Sequence, residues 1–275
     1  MYKIEFANGM IIVSKKFNTE KADKKWNGLR RSDKPKLNMD RKDYNRTINR
    51  KRYELYKLDL TNYFAKWITL TFEHYIEFDR VLNAFKQFIK SIRRNYGDNI
   101  KYIRAIEVQG TSHFFHIHII LLNEEKLKIG YHDIKKFWGY GFVNIKNAYN
   151  IQGLIKYITK YKDDTIQQGN RFYTYFPIGA RIITWSQGIK NIDVPAFEID
   201  ENLLYSILEE QYKEYIGVLD YNTFENGHYF LNNDNKLTYY LDKIYLPSEK
   251  DFMQRLVERL KTSNIAMVDN KQNNT

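Results

Sequence analysis

Two histidines, His116 and His118, occupy alternate positions in the apolar stretch FHIHIILL. In a β-strand, side chains two residues apart project from the same face, so both imidazoles face one side of a sheet and their apolar neighbours face the other. Glu107 and Gln109 alternate in the same way in the preceding strand-like stretch. An antiparallel hairpin puts all four side chains on one face. Two imidazoles and one oxygen ligand leave coordination positions open, as a catalytic metal site requires.

A second group of reactive side chains lies in GLIKYITKYKDD, which has the spacing of a helix. Tyr157 and Tyr161 are four residues apart and therefore share a helix face, with Lys160 nearby. A tyrosine oxygen can attack a phosphodiester, which gives a covalent phosphotyrosine and releases a 3′-hydroxyl. A phenol, with a pKa of about 10, needs help from a metal or a cation to do so. In a chain with 23 tyrosines, ordinary core or surface aromatic residues are the alternative.

The elements that must position these groups follow from hydrophobic periodicity. AKWITLTF, residues 65–72, alternates as a strand does, with Thr69 and Thr71 on one face. Apolar residues at spacings of three and four predict a helix from residue 78 that ends before Gly97. The order strand, helix, strand, strand, helix, strand, helix predicts an α+β fold. We expect a ferredoxin- or RRM-like unit, with helices on one face of a mainly antiparallel sheet.

Composition indicates a polyanionic partner. The formal net charge is +11, and 16% of the residues are aromatic. Cations that hold phosphates and rings that stack on bases suit single-stranded nucleic acid, although an AT-rich genome also enriches Lys, Tyr and Phe. The absence of cysteine excludes disulfides and thiolate metal sites. No signal peptide or membrane-length apolar run is recognised, so we expect a cytoplasmic protein without a membrane partner.

Charge also varies along the chain. Residues 1–60 carry 17 basic and 8 acidic residues, whereas residues 201–275 carry 8 and 12. We predict a basic N-terminal extension at 1–64, a catalytic domain at 65–194 and a C-terminal α/β accessory region at 195–275. Within the extension, residues 21–52 show little periodicity, and a solvated arm and a DNA-contacting segment are equally compatible with them.

Three motifs in order, WITLTF, HFFHIHIILL and KYITKY, resemble those of the HUH endonucleases, specifically the rolling-circle replication initiators of plasmids and phages. The resemblance covers about residues 65 to 190. It implies a site- and strand-specific DNA nickase with Mg²⁺ or Mn²⁺ as cofactor, in which a tyrosine becomes joined to a 5′ phosphate and the free 3′-hydroxyl primes synthesis. A later 3′-hydroxyl can reseal the strand.

The resemblance also implies roles for individual residues. His116 and His118 correspond to metal ligands. We prefer Glu107 over Gln109 as third ligand because a carboxylate binds a hard cation better, and Gln109 stays open because it lies closer to the hairpin turn. Tyr157 is the preferred nucleophile because a lysine, Lys160, follows at the third position. Tyr161 is a candidate second nucleophile or a residue that stacks on DNA, and Lys160 is expected to stabilise negative charge.

Several alternatives remain open. A relaxase shares the chemistry, but its tyrosine normally precedes the histidines, whereas a transposase of the same superfamily fits the order. A non-catalytic nucleic-acid-binding module is the alternative from another class. The expected partner is single-stranded or hairpin origin DNA. Since no P-loop motif occurs, unwinding is expected from a separate host or accessory helicase. The sequence does not indicate an oligomeric state.

Overall fold

A computed structural model describes residues 2–8, 10–15, 38–109, 112–159, 172–200, 202–204, 206–207, 229–231, 237–239, 243–247, 250–263, 265 and 267. The elements are β1 (Tyr2–Ala7), β2 (Met10–Lys15), α1 (Arg41–Tyr56), β3 (Phe64–Thr71), α2 (Phe78–Tyr96), β4 (Lys101–Val108), β5 (Phe115–Asn123), α3 (Tyr131–Trp138), β6 (Val143–Ala148), α4 (Ile151–Ile158), β7 (Ile183–Trp185), β8 (Ala196–Ile199), β9 (Tyr229–Leu231), β10 (Leu237–Tyr239), β11 (Lys243–Pro247) and α5 (Lys250–Thr262). A short 3₁₀ helix covers Phe172–Tyr175.

The chain forms two compact units, and the first consists of residues 34–191. Its five-stranded sheet has the order β6-β3-β5-β4-β7, and all neighbouring strands are antiparallel. From β3 to α4 the predicted order of strands and helices is observed. The helices α2 and α3 each connect two strands that lie on either side of a third, as in a ferredoxin-like unit. The predicted α+β, RRM-like fold is therefore confirmed.

One face of this sheet forms the apolar core under α2 and α3. The ring of Phe85 on α2 lies 5.0 Å from that of Tyr102, and Trp138 on α3 packs 4.8 Å from Phe72. Helix α2 ends at Gly97, whose φ of 107° lies in a region that side chains other than glycine rarely adopt. The buried strand residues on this face are Ile68, Leu70, Ile106, Val108, Phe115, Ile117 and Ile119.

The opposite face carries α1 and α4, which differs from the expectation that helices cover one face. Tyr157 on α4 packs against Trp67 of β3, and Lys51 on α1 lies over Trp185 of β7. Helix α1 begins at an N-cap, Asp40, whose carboxylate accepts from the Asp43 amide at 2.8 Å. This helix was not predicted, because polar side chains interrupt the apolar pattern of its buried face; the buried polar residues are Asn45, Asn49 and Arg52.

The second compact unit combines residues 1–33 with residues 192–275. Its four-stranded antiparallel sheet has the order β11-β2-β1-β8. An apolar cluster joins the sheet to α5, and it includes Ile4, Phe6, Phe197, Phe252, Leu256 and Leu260. Strands β9 and β10 pair with each other. Among the described helices of the chain, none has the length and apolar composition that crossing a bilayer requires.

These units divide the chain differently from the three predicted segments at 1–64, 65–194 and 195–275. Residues 34–64 belong to the unit that contains the sheet of β3, and residues 1–33 group with the C-terminal region. The difference arises because β1 pairs with β8, nearly two hundred residues away along the chain. Such pairing leaves no local signal in charge or composition. The predicted helix at the C-terminus, from SEKDFMQRLVERLKT, is observed as α5.

Candidate active site

The register of the β4–β5 hairpin puts the predicted side chains on the face opposite the core. Glu107 lies directly across from His116, and Ala105 lies across from His118. On the other side of β5, Thr69 and Thr71 lie across from the same two histidines. Because β5 is the central strand, the site occupies the middle of the sheet, where the backbone is hydrogen-bonded on both sides.

His118 is held by three neighbours. The Thr69 hydroxyl lies 3.2 Å from its Nδ1, and the Trp67 ring stacks on the imidazole with centroids 5.0 Å apart and planes at 14°. On the other edge, its Nε2 lies 3.4 Å from Oε2 of Glu107. When Nδ1 carries the proton it donates to Thr69, and the Nε2 lone pair then points towards the carboxylate. This orientation is the one a metal-binding imidazole requires.

His116 pairs with Gln109 instead. Its Nε2 lies 2.9 Å from Oε1 of Gln109, and the same oxygen accepts a hydrogen bond of 2.7 Å from the Ser112 hydroxyl. Gln109 thus braces the end of the hairpin as well as facing the histidine. His113, which the sequence assigned to the hairpin end, adopts a left-handed φ of 59° there and stacks on Tyr175.

The donor set can be tested against a divalent ion. Two ligand atoms that are each about 2.1 Å from one ion and about 3.4 Å apart subtend a roughly tetrahedral angle, so the spacing of His118 and Glu107 suits chelation. Within the described residues, however, no group of three histidine, aspartate or glutamate side chains already converges on one point. A site with both histidines requires His116 to turn from Gln109 towards Glu107, which lies directly opposite it. With that rotation, the residues fit the ion.

Tyr157 lies on α4 directly above this cluster. Its ring makes edge contacts with His118 and with Trp67, both with centroids 5.7 Å apart. The side chain is 42% exposed, so a substrate can reach it. Partial burial raises the pKa of the Tyr157 phenol above its usual value, and the negative charge of Glu107 raises it further. The phenol therefore keeps its proton at neutral pH in the free protein, and its activation depends on what binds beside it.

Helix α4 is fixed from below by a buried arginine of α1. Arg52 donates from Nε to the Thr159 hydroxyl at 3.1 Å, and its Nη2 donates to the Thr159 carbonyl. Thr159 is fully buried and caps α4 two residues after Tyr157. Its hydroxyl also donates to the Ile155 carbonyl at 2.7 Å. The end of the tyrosine helix is thus tied to a segment more than a hundred residues earlier.

The structure thus brings together five of the residues considered from the sequence: Glu107, Gln109, His116, His118 and Tyr157. Lys160 and Tyr161 lie outside the described residues. Their predicted roles remain predictions.

Sequence reasoning missed three supporting residues. Trp67 could have been found, since period-two alternation puts it on the face of Thr69 and the histidines. Tyr44 of α1 could not: it is buried, and its pKa is raised first by burial and then by the charge of Glu107, which places it near that carboxylate. Arg52 also had no signal, because its partner is distant in sequence.

Residues 65–166 match the family model of the ORF2-type Replication-associated protein. The matched stretch contains β3, the histidine hairpin and α4. The resemblance to rolling-circle replication initiators of the HUH type is thereby confirmed for these residues. Searches among curated proteins and among solved structures give no significant match to the chain.

Proposed function

We propose that this chain, which carries a segment of the ORF2-type Replication-associated protein family at residues 65–166, is a metal-dependent DNA nickase and ligase that starts rolling-circle replication. The observation that carries the proposal is the packing of an accessible tyrosine, Tyr157, against His118 on the sheet face that also holds His116 and Glu107. A nucleophile for phosphate and a set of metal-binding side chains therefore lie within one site. A non-catalytic binding module gives no reason for this juxtaposition.

In the proposed reaction, the Tyr157 oxygen attacks the scissile phosphorus. The bond from phosphorus to the 3′ oxygen of the preceding nucleotide breaks, so the protein becomes joined to the 5′ phosphate. The phenol proton passes to solvent, and the departing 3′ oxygen takes up a proton from solvent. A later 3′-hydroxyl reverses these steps and reseals the strand. Because a phosphodiester is exchanged for a phosphodiester, no external energy source is needed.

The divalent ion, Mg²⁺ or Mn²⁺, would be held by His116, His118 and Glu107, with Gln109 as the alternative oxygen ligand. When bound, it supplies positive charge that polarises the scissile phosphate. Thr69 and Trp67 orient the His118 ring through its Nδ1 and its face. Glu107 has an opposing effect in the free protein, since its charge raises the pKa of Tyr157. Neutralisation of that charge removes this barrier to forming the phenolate.

The decisive experiment uses a supercoiled plasmid that carries the cognate origin, with Mn²⁺. We expect relaxed DNA with protein attached to a 5′ end, and Tyr157→Phe should abolish both. Tyr149→Phe is the matched control, because Tyr149 is 91% exposed beside the same helix and should retain full activity. Normal nicking by Tyr157→Phe would refute the assignment of the nucleophile. Loss of nicking in Tyr161→Phe alone would transfer that role to Tyr161.

The metal assignment is tested by binding as well as by activity. The double variant His116→Ala with His118→Ala should lose Mn²⁺ binding in calorimetry and in electron paramagnetic resonance. His113→Ala is the matched control, since His113 stacks on Tyr175 outside the cluster. Variants Glu107→Gln and Gln109→Ala separate the two candidates for the third ligand. Metal-dependent cleavage that survives loss of both histidines would contradict the proposal.

The proposed partners are single-stranded or hairpin DNA at the origin and a separate helicase. A nucleophile that acts on one strand needs an unpaired or extruded segment, because the bases of a duplex hold both strands together. The chain has no P-loop motif of its own. Nicking of a single-stranded origin oligonucleotide in the absence of any helicase is therefore expected.

A further inference from the structure

An open groove with a volume of about 400 Å³ lies between α1 and residues 179–185, at the β7 edge of the sheet. Three basic side chains line it: Arg50, Lys51 and Arg181. Trp185 lies at the same place, and its ring is half-buried. Among the described residues that line the groove, none is acidic. The groove therefore combines positive charge with an aromatic ring.

The charges of the groove are only partly neutralised. Glu54 on α1 lies 2.6 Å from the Lys51 ammonium and 3.8 Å from Arg50 Nε. One carboxylate is thus shared by two cations, while Arg181 is exposed. Lys51 also lies 4.6 Å from the centre of the Trp185 ring, a favourable cation–π position. The excess of positive charge favours an anion as the occupant.

The wall of the groove is preformed. Arg104, buried beneath the sheet, donates to the Arg181 carbonyl at 2.7 Å, and the Ile106 amide donates to the Ile182 carbonyl at 2.9 Å. Gly179 has a φ of 79°, which turns the chain into this strand without the strain that a side chain would cause. A site whose backbone is fixed in advance loses less conformational entropy on binding.

We propose that this groove binds a nucleotide of single-stranded DNA next to the scissile phosphate, with the phosphate on the basic side chains and the base on Trp185. The volume suits one nucleotide, and the pairing of cations with an aromatic ring is how proteins hold single strands. A base that stacks on Trp185 replaces the Lys51 ammonium, which then meets the phosphate. The inference rests on the proposed function, because it concerns the DNA that the active site cuts.

The groove lies close enough to the active site to serve the same strand. Ile183 of β7 pairs with Ala105 of β4, which pairs with His118 of β5. The backbones of Ile183 and His118 are therefore two strand spacings apart, or roughly 10 Å. A single strand spans that distance with very few nucleotides. Contacts in the groove are therefore expected to strengthen substrate binding without taking part in the reaction at Tyr157.

The test measures fluorescence anisotropy of a labelled single-stranded oligonucleotide of mixed sequence at several salt concentrations. All proteins carry Tyr157→Phe, so that binding is measured without cleavage. Arg50→Gln with Arg181→Gln should reduce the slope of log K against log salt by about 1.4, since each lost phosphate contact removes about 0.7. Trp185→Leu should weaken binding by at least about fivefold with little change in slope.

The matched control is Lys86→Gln with Arg94→Gln, which removes the same charge from exposed positions of α2 on the other side of the sheet. Arg50→Lys with Arg181→Lys should restore the slope, which excludes a folding defect as the cause. An equal loss in the groove and control variants would overturn the proposal, as would equally tight and equally sensitive binding of a duplex. Because no cleavage is measured, a failure of the nicking chemistry would leave this result intact, and the two proposals can fail separately.

Discussion

Replacement of Arg52 by methionine is expected to destabilise the unit of residues 34–191. Methionine keeps an unbranched side chain of similar length but has no donor group. The variant loses the hydrogen bonds from Arg52 to the Thr159 hydroxyl and to the Thr159 carbonyl. Both residues are buried, so water cannot replace the lost donor without a rearrangement of α1 and α4.

The expected magnitude follows from these two bonds. A hydrogen bond from a charged donor contributes about 1.5–3 kcal/mol, so the gross loss is about 3–6 kcal/mol. Removal of a buried charge returns part of this, because the guanidinium no longer needs to be desolvated. We therefore expect the free energy of unfolding to fall by about 2–4 kcal/mol. Arg52→Lys should lie between methionine and the natural residue, since an ammonium lacks the planar fork that reaches both acceptors.

The assay is urea denaturation followed by tryptophan fluorescence. Three of the four tryptophans, Trp67, Trp138 and Trp185, belong to the unit of residues 34–191, so the signal reports mainly on this unit. Arg46→Met on the exposed side of α1 is the matched control and should change the free energy by no more than about 0.5 kcal/mol.

A double-mutant cycle tests whether Arg52 acts through Thr159. Thr159→Val removes the hydroxyl but leaves the carbonyl, so the cycle should give a coupling energy of about 1 kcal/mol. The reasoning fails if Arg52→Met matches the Arg46 control, or if the effects of Arg52→Met and Thr159→Val simply add.

Two further substitutions probe the elements that frame the site. Gly141→Ala places a Cβ against the backbone oxygen of Thr71 and 3.0 Å from the amide of Glu73, so it should shift the β3–β6 junction and lower the thermal midpoint. Gly130→Ala is its control, because the nearest atom to the new Cβ is a side-chain oxygen at 3.9 Å, and an equal loss in both variants would contradict the steric argument. Asp40→Ala removes the N-cap of α1 and should cost about 1 kcal/mol in urea denaturation, whereas Asp40→Asn should cost much less; equal costs would show that the cap bond is not responsible.

Local patterns in the sequence predicted the elements whose burial follows one period. Helix α2 was predicted because its apolar residues recur at three and four, and all of them pack on one sheet face. The hairpin of β4 and β5 was predicted because alternation at two puts apolar and polar side chains on opposite faces. Helix α1 was missed since it buries asparagines and an arginine, which weaken the apolar pattern.

The candidate site divides in the same way. His116, His118 and Glu107 could be placed on one face from alternation alone, and Tyr157 could be assigned to a helix. Which oxygen each histidine meets could not be predicted, because the diagonal contact of His118 with Glu107 depends on side-chain rotamers. The packing of the tyrosine on His118 also depends on how α4 crosses the sheet.

Local sequence was sufficient for the residue types of the site, their order and the faces of the elements that carry them, since these depend on neighbours within a few positions. Long-range packing, by contrast, established that Arg52 fixes the end of α4 and that α1 and β7 enclose a basic groove beside the site. It also established that β1 and β2 pair with strands from the other end of the chain. Those contacts join residues far apart in sequence, and their energy comes from packing and hydrogen bonds that no local period records.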